Sequence, residues 1–345
     1  MDDRLLNSHY LKACRGEPTD VTPIWLNRQA GRYMQEYHQV KGNTASLDFF
    51  KTPHLAAKVT LDAQRILGVD AAILFADLLP ILEPMGLILD YLPGIGPNID
   101  NPVRTNRDID ALEVTSAADS MPYISEAIEL IRRELPADIP LIGFAGAPFT
   151  LASYAIEGRG SRNYILVKQL MYGDSSAWHT LMAKMARSVA DYLNYQIESG
   201  VQSVQLFDSW VGCLSPADYE TYVLPHTRSV LDEIKGKVPV IHFGTGNATL
   251  VDLMNQAGSD VMALDWRTPL RETWDRLKCT AIQGNMDPIA LCADRDAVFR
   301  LASQVLAEAS GKSGHIFNLG HGIVPDTPVD NVKALVDFVH EQTRR

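Results

Sequence analysis

Eight short apolar runs, each closed by a polar residue or glycine and each followed by helical spacing, restrict the fold of this chain more than any other feature. They are VTPIWLNR (21–28), AAILFAD (71–77), PLIGFAG (140–146), SVQLFDS (203–209), PVIHFG (239–244), VMALDW (261–266), TAIQGN (280–285) and HIFNLGHG (315–322). None alternates strictly between apolar and polar, so each reads as a strand buried on both faces. Between them lie helix-length segments, for example 47–68 and 177–200. Ser215-Pro216-Ala217-Asp218 and Thr327-Pro328-Val329-Asp330 each read as an N-cap, a proline at the first helical position and an acid in the first turn. Gly200 and Gly236 stand where helix C-caps belong. Eight strands alternating with helices predict an α/β fold, a single-domain (β/α)8 TIM barrel with its active site at the C-terminal ends of the strands. A doubly wound open sheet is the alternative. No break in composition marks a linker, so residues 1–345 read as one domain, with a long loop or hairpin insertion at about 79–104.

In such a barrel the strand ends carry function. Those ends hold Arg28, Asp77, Gly146, Asp208 with Ser209, His242, Asp265, Asn285, and Asn318 with His321. Several have ordinary explanations: Asp265, Asp208 and Ser209 suit loop caps, and a strand histidine such as His242 is commonly a satisfied core residue. Asp77 is different. It follows six apolar residues and precedes two leucines, which holds a carboxylate in partly dehydrated surroundings that require donors. The stretch WLNRQAGRYMQEY (25–37) adds Arg28 and Arg32. From Trp25 to Lys41 the local charge is +2 within a chain of -11. A global charge of that sign disfavours nucleic acid and anionic membranes as partners. It favours an enclosed basic site for a small anion.

Other chemistries lack support. GxGxxG is absent, and neither GIG (94–96) nor GFAGAPFT (143–150) precedes a lysine-serine pair. HExxH, HxxEH and HxC are absent, so no metal is expected. Cys14, Cys213, Cys279 and Cys292 are scattered and read as reduced thiols. The N-terminus has no apolar core of signal length, and no run reaches the ~18 residues of a membrane span. The expected location is cytoplasmic.

Taken in order, WLNRQAGRYMQEY, FADLL, GFAGAPFTLASYAIEG, LFDSWVG, SDVMALDW, AIQGNMDP and FNLGHGIVPDTP resemble the uroporphyrinogen decarboxylase family over nearly the whole chain. The resemblance implies a homodimeric barrel that uses no cofactor. It also implies removal of carbon dioxide from the four acetate side chains of uroporphyrinogen III, leaving methyls and giving coproporphyrinogen III in haem biosynthesis. Carried over by motif, Arg28, Gln29 and Arg32 match the substrate-binding arginine loop. Asp77 matches the aspartate beneath the macrocycle centre. Tyr154, Ser209 and His321 match groups that contact substrate carboxylates, with Asp77, Arg28, His321 and Tyr154 as the catalytic set. The sequence departs from the family at Gln35 (proline there), His38 and Lys41 (arginines) and Ala76 (serine). Two other readings are a corrinoid-linked methyltransferase, which would need a zinc-binding His-x-Cys where His242-Phe243-Gly244 stands, and a non-catalytic tetrapyrrole carrier.

Overall fold

The computed structural model describes residues 3–92 and 94–345. Seven strands form one parallel sheet: β1 (Ala72–Ile73), β4 (Leu141–Gly146), β5 (Ser203–Asp208), β6 (Val240–Gly244), β7 (Val261–Ala263), β8 (Ala281–Gln283) and β9 (His315–Ile316), hydrogen-bonded in that order. β2 (Leu89–Leu92) and β3 (Gly96–Ile99) make a separate antiparallel hairpin. The parallel strands are buried on both faces, β4 along its whole length, which is why their sequences run apolar without alternation.

The sheet is curled. β5 and β8 are separated by β6 and β7, yet Gln205 and Gln283 meet side chain to side chain at 2.9 Å. Phe144, Phe207 and Phe243 pack edge to face above them on three neighbouring strands, at 5.7 and 5.8 Å between ring centroids.

The run expected as the first strand is reduced to a single parallel bridge, Ile24 to Phe317. Its hydrogen bonds are few but reach both edges of the sheet. Phe317 N donates to Pro23 O (2.8 Å), Trp25 N to Phe317 O (3.3 Å), and Asp70 N to Ile24 O (2.9 Å). Pro23 has no N–H to give, so a longer ladder cannot form there.

The long helix Ser175–Ser199 starts on Asp174, whose carboxylate accepts from Ala177 N, and ends on Gly200 at φ 112°. Helix Pro216–Tyr222 has the expected Ser215 cap with proline in the first turn. Two boundaries differ from expectation. The helix read over 47–68 is two helices, Ser46–Lys51 and Pro53–Leu67. The break falls at Thr52, because a residue before proline is held in extended backbone. The last helix, Val329–Thr343, begins after Pro328, with no side-chain cap from Thr327. Among the described residues no helix is long and apolar enough to cross a membrane. All four cysteines are free.

Candidate active site

The loop carrying Arg28 is pinned on both sides of that residue. Asn27 N donates to Asn318 Oδ1 (2.9 Å), Asn27 Nδ2 to Leu319 O (3.3 Å), and Ile323 N to Asn27 O (2.9 Å). On the other side Gln29 accepts from Leu26 N (3.1 Å) and donates to Ala71 O (3.1 Å), and its carbonyl takes the Tyr33 hydroxyl (2.6 Å). The Gln29 side chain is fully buried, with both ends bonded to backbone, so within the loop expected to bind substrate it holds the backbone in place. Arg28, held between them, is exposed and left-handed at φ 61°. That conformation costs a side-chain-bearing residue about 1–2 kcal/mol, so the surrounding bonds must impose it.

Two glycines of NLGHG explain themselves by distance. A Cβ on Gly322 would lie 2.4 Å from Arg28 Cδ, and one on Gly320 would lie 2.1 Å from Trp266 N. The His321 backbone thus runs against Trp266 on one side and the Arg28 stem on the other. The His321 ring stands edge-on to Trp266 at 6.3 Å. Arg267 lies over the same indole at 3.9 Å and donates to Asp265 at 2.7 Å. Asp265 also accepts from Gly246 N (2.6 Å) and Arg267 N (3.0 Å). It is fully buried and well satisfied, as a capping residue should be.

Asp77 follows β1 and is only partly exposed, and its Oδ1 accepts from Leu79 N at 3.1 Å. Burial pushes its carboxyl above the ordinary aspartate range. The Tyr91 hydroxyl, the Leu79 and Leu78 amides and the Arg28 charge oppose that rise without cancelling it. Tyr91 comes from β2 of the hairpin and meets the Phe50 ring edge to face at 5.4 Å. Its hydroxyl is buried and has no hydrogen-bond partner of full geometry. Burial and the Asp77 charge both raise its pKa. Tyr154, on helix Pro148–Glu157, is pushed up to about 12 by burial and Asp77, against Trp210 and Arg28, and packs on the Trp210 ring at 5.7 Å. His321 is moved the other way, below its ordinary value, by burial and by Arg28.

Arg28 thus acts through space on Asp77, Tyr154 and His321, and Asp77 acts on Tyr154. Arg32 is exposed next to them. Burial raises the pKa of the neighbouring Tyr37, and on it Arg32 and Asp77 act in opposite directions. Ser209 is half-buried on the same strand-end face, outside that set. Of the positions that depart from the family pattern, His38 meets the Arg32 carbonyl at 2.8 Å, and the Lys41 ammonium is occupied by the Thr44 carbonyl. Gln35 is exposed at the start of helix Gln35–Lys41 and Ala76 is half-buried beside Asp77. His242 is fully buried, pushed down to about 4 by burial, and stays neutral in the core. Sequence reasoning missed Tyr91, Trp210 and Arg267. Tyr91 gave no local signal of its contact with Asp77, whereas Trp210 directly follows Ser209 and Arg267 lies two residues after Asp265. Among the described residues no group of three or more His, Cys, Asp or Glu is placed to hold a metal ion.

Fold and site define an α/β protein of the curled parallel-sheet class, with its polar site at the carboxyl ends of the strands. A family model described as uroporphyrinogen decarboxylase (URO-D) matches residues 5–342. The chain belongs to that family. A uroporphyrinogen decarboxylase from Sorangium cellulosum is 51% identical over 341 residues, 98% of this chain and 97% of the relative. One from Geotalea daltonii is 46% identical, covering 99% of this chain and all of the relative. Among solved structures, a methyltransferase from Methanosarcina mazei superposes with a TM-score of 0.80 at 19% identity, over 97% of this chain and 99% of that one. A B12-independent methionine synthase from a Shewanella species gives 0.57 at 10% identity, over 84% and 88%. These two likenesses concern the fold alone.

Proposed function

We propose that this chain is a carboxy-lyase that decarboxylates the four acetate arms of uroporphyrinogen to methyl groups. The observation that carries the chemistry is Asp77. It is a carboxylate kept short of donors by burial, facing a rim with the guanidiniums of Arg28, Arg32 and Arg267. A porphyrinogen supplies both halves of the complement. Its eight carboxylates suit arginine forks, which bind bidentately and hold their charge at any working pH. Its saturated bridges let four pyrrole N–H groups turn toward one point, where Asp77 accepts them. At about 1.5–3 kcal/mol for each charge-assisted bond, two or three offset the effective cost of dehydrating the carboxylate, itself several kcal/mol.

Decarboxylation needs an electron sink. Protonation of a pyrrole carbon makes the ring cationic, and the carbon–carboxylate bond then breaks with its electron pair flowing into that ring. A second proton converts the resulting exocyclic methylene to methyl, and loss of the ring proton restores the pyrrole. One proton replaces one carbon dioxide. Asp77, fixed at the ring nitrogens, stabilises the developing cation without solvent reorganisation. Arg28 anchors the departing arm and is the candidate acid, although a guanidinium gives up its proton reluctantly. Tyr154 and His321, protonated phenol and neutral imidazole at neutral pH, orient the carboxylates, with Ser209 as a further contact.

In the same reading residues 1–345 are one domain. Segment 23–25 closes the curled sheet into an eight-stranded barrel, supported by its bonds to Phe317 and Asp70. The enzyme works as a cytoplasmic homodimer without a cofactor. Anaerobic, reducing incubation with uroporphyrinogen, followed by chromatography of the oxidised products, tests the activity. Stepwise loss of carboxyls supports it, whereas substrate retained unchanged makes the chain a carrier.

A further inference from the structure

Beneath the site a row of buried amides crosses the curled sheet. Trp25 Nε1 donates to Gln283 Oε1 (2.9 Å), Gln283 Nε2 to Gln205 Oε1 (2.9 Å), and Gln205 Nε2 to Asn27 Oδ1 (3.1 Å). Asn27 Nδ2 closes the row on the Leu319 carbonyl (3.3 Å). All four side chains are buried to 2% exposure or less. The direction of the row is fixed by chemistry. An indole N–H can only donate and a backbone carbonyl can only accept, so every amide between them has one permitted orientation. The row leaves the chain at Trp25, crosses to β8 and β5, and returns at Asn27, next to Arg28. At Asn27 it also grips residue 319, two positions before His321.

We infer that Gln205 is a positioning residue for the decarboxylation. It fixes the Asn27 amide and so the left-handed setting of Arg28 and the approach of the His321 loop. The inference rests on the proposed role of Arg28 as substrate anchor. Gln205 lies inside the sheet, below the coupled site groups, and acts through Asn27. With its donor removed, only the Leu319 carbonyl, at 3.3 Å, still holds the Asn27 amide with Oδ1 inward and Nδ2 to Leu319. The bonds that impose the φ of 61° at Arg28 then have an alternative.

The test uses Gln205→Glu, which changes one atom and no volume. A protonated glutamic acid still donates one O–H to Asn27 and accepts from Gln283, so it preserves the row. An ionised one sets oxygen against oxygen and breaks it. Burial raises the pKa of the introduced acid. Relative to wild type, the variant should therefore have a near-normal KM at about pH 6, rising about tenfold by about pH 8.5, with kcat changed less. Gln205→Met removes donor and acceptor without adding charge. It should raise KM at every pH, which keeps the test valid if the glutamate variant unfolds at high pH. Val204→Ala, at a fully buried position on the same strand outside the row, serves as the control: it lowers the melting temperature and leaves KM within about twofold. Gln205 variants with wild-type KM across the pH range would overturn the inference. So would losses that simply track melting temperature as in Val204→Ala. A wild-type protein that does not turn over uroporphyrinogen would instead overturn the functional reading itself.

Discussion

Replacing Asp77 by asparagine separates binding the substrate from holding the fold, because the two effects have opposite signs. The carboxylate accepts Leu79 N at 3.1 Å through one oxygen, and an asparagine oxygen can keep that bond. The other oxygen is left for ligand donors. In Asp77→Asn it becomes an NH2 that confronts pyrrole N–H groups, donor against donor. Losing two charge-assisted bonds at about 1.5–3 kcal/mol each gives about 3–6 kcal/mol, or roughly a hundred- to ten-thousand-fold in kcat/KM. Stability should move the other way. Burial dominates the raised pKa of Asp77, so the free protein carries an under-compensated charge that the neutral amide removes. The expected result is a melting temperature equal to or above wild type beside a near-complete loss of carboxyl removal, followed by anaerobic assay and chromatography by carboxyl number. Turnover within tenfold of wild type would refute the role given to Asp77. A marked fall in melting temperature would refute the claim that its charge is poorly compensated.

Arg28→Gly should relieve the left-handed backbone, adding up to about 1 kcal/mol in urea titration, while KM for uroporphyrinogen rises at least about tenfold. Gly322→Ala places a Cβ 2.4 Å from Arg28 Cδ, so the arginine must swing away. Melting temperature should hold within a few degrees while KM rises about tenfold. Asp208 is fully buried with one oxygen unpartnered, and burial raises it from 3.8 to about 7. A carboxyl raised in the folded state binds protons that the unfolded chain has released. It therefore lowers stability as pH climbs from about 4 to about 7, by about 4 kcal/mol at 1.36 per unit. Thermal unfolding of Asp208→Asn across that range should show the fall largely removed.

The parallel α/β arrangement was legible because its strands are apolar on both faces, a pattern that survives without any knowledge of partners. Asp77 was legible for a related reason: a charge between apolar runs has few harmless explanations. The structural part of Gln29 was not legible, because its bonds to Leu26 N and Ala71 O depend on how the loop turns back on the sheet. Tyr91 could not be read at all. Nothing in LDYL says that a hairpin folds back over Asp77, since that contact comes from closure of a long segment and not from local spacing. The first run pairs more briefly than its length suggested, as it contains Pro23, whose missing donor limits the pairing to a bridge.

The bond pattern around Arg28 also bears on how the chain is made. Residues 22 to 27 find many of their partners at 317 to 323 and at 343, so a nascent chain holds its anchoring arginine without its full mould for most of translation. Until the last strand leaves the ribosome, segment 23–25 lacks its Phe317 partner, and one side of the apolar segment PIWL has nothing to pair with. A chaperone that shields residues 21–28 during synthesis should raise the yield of active protein more than one acting on the completed chain, because an unpaired parallel edge is where such intermediates aggregate.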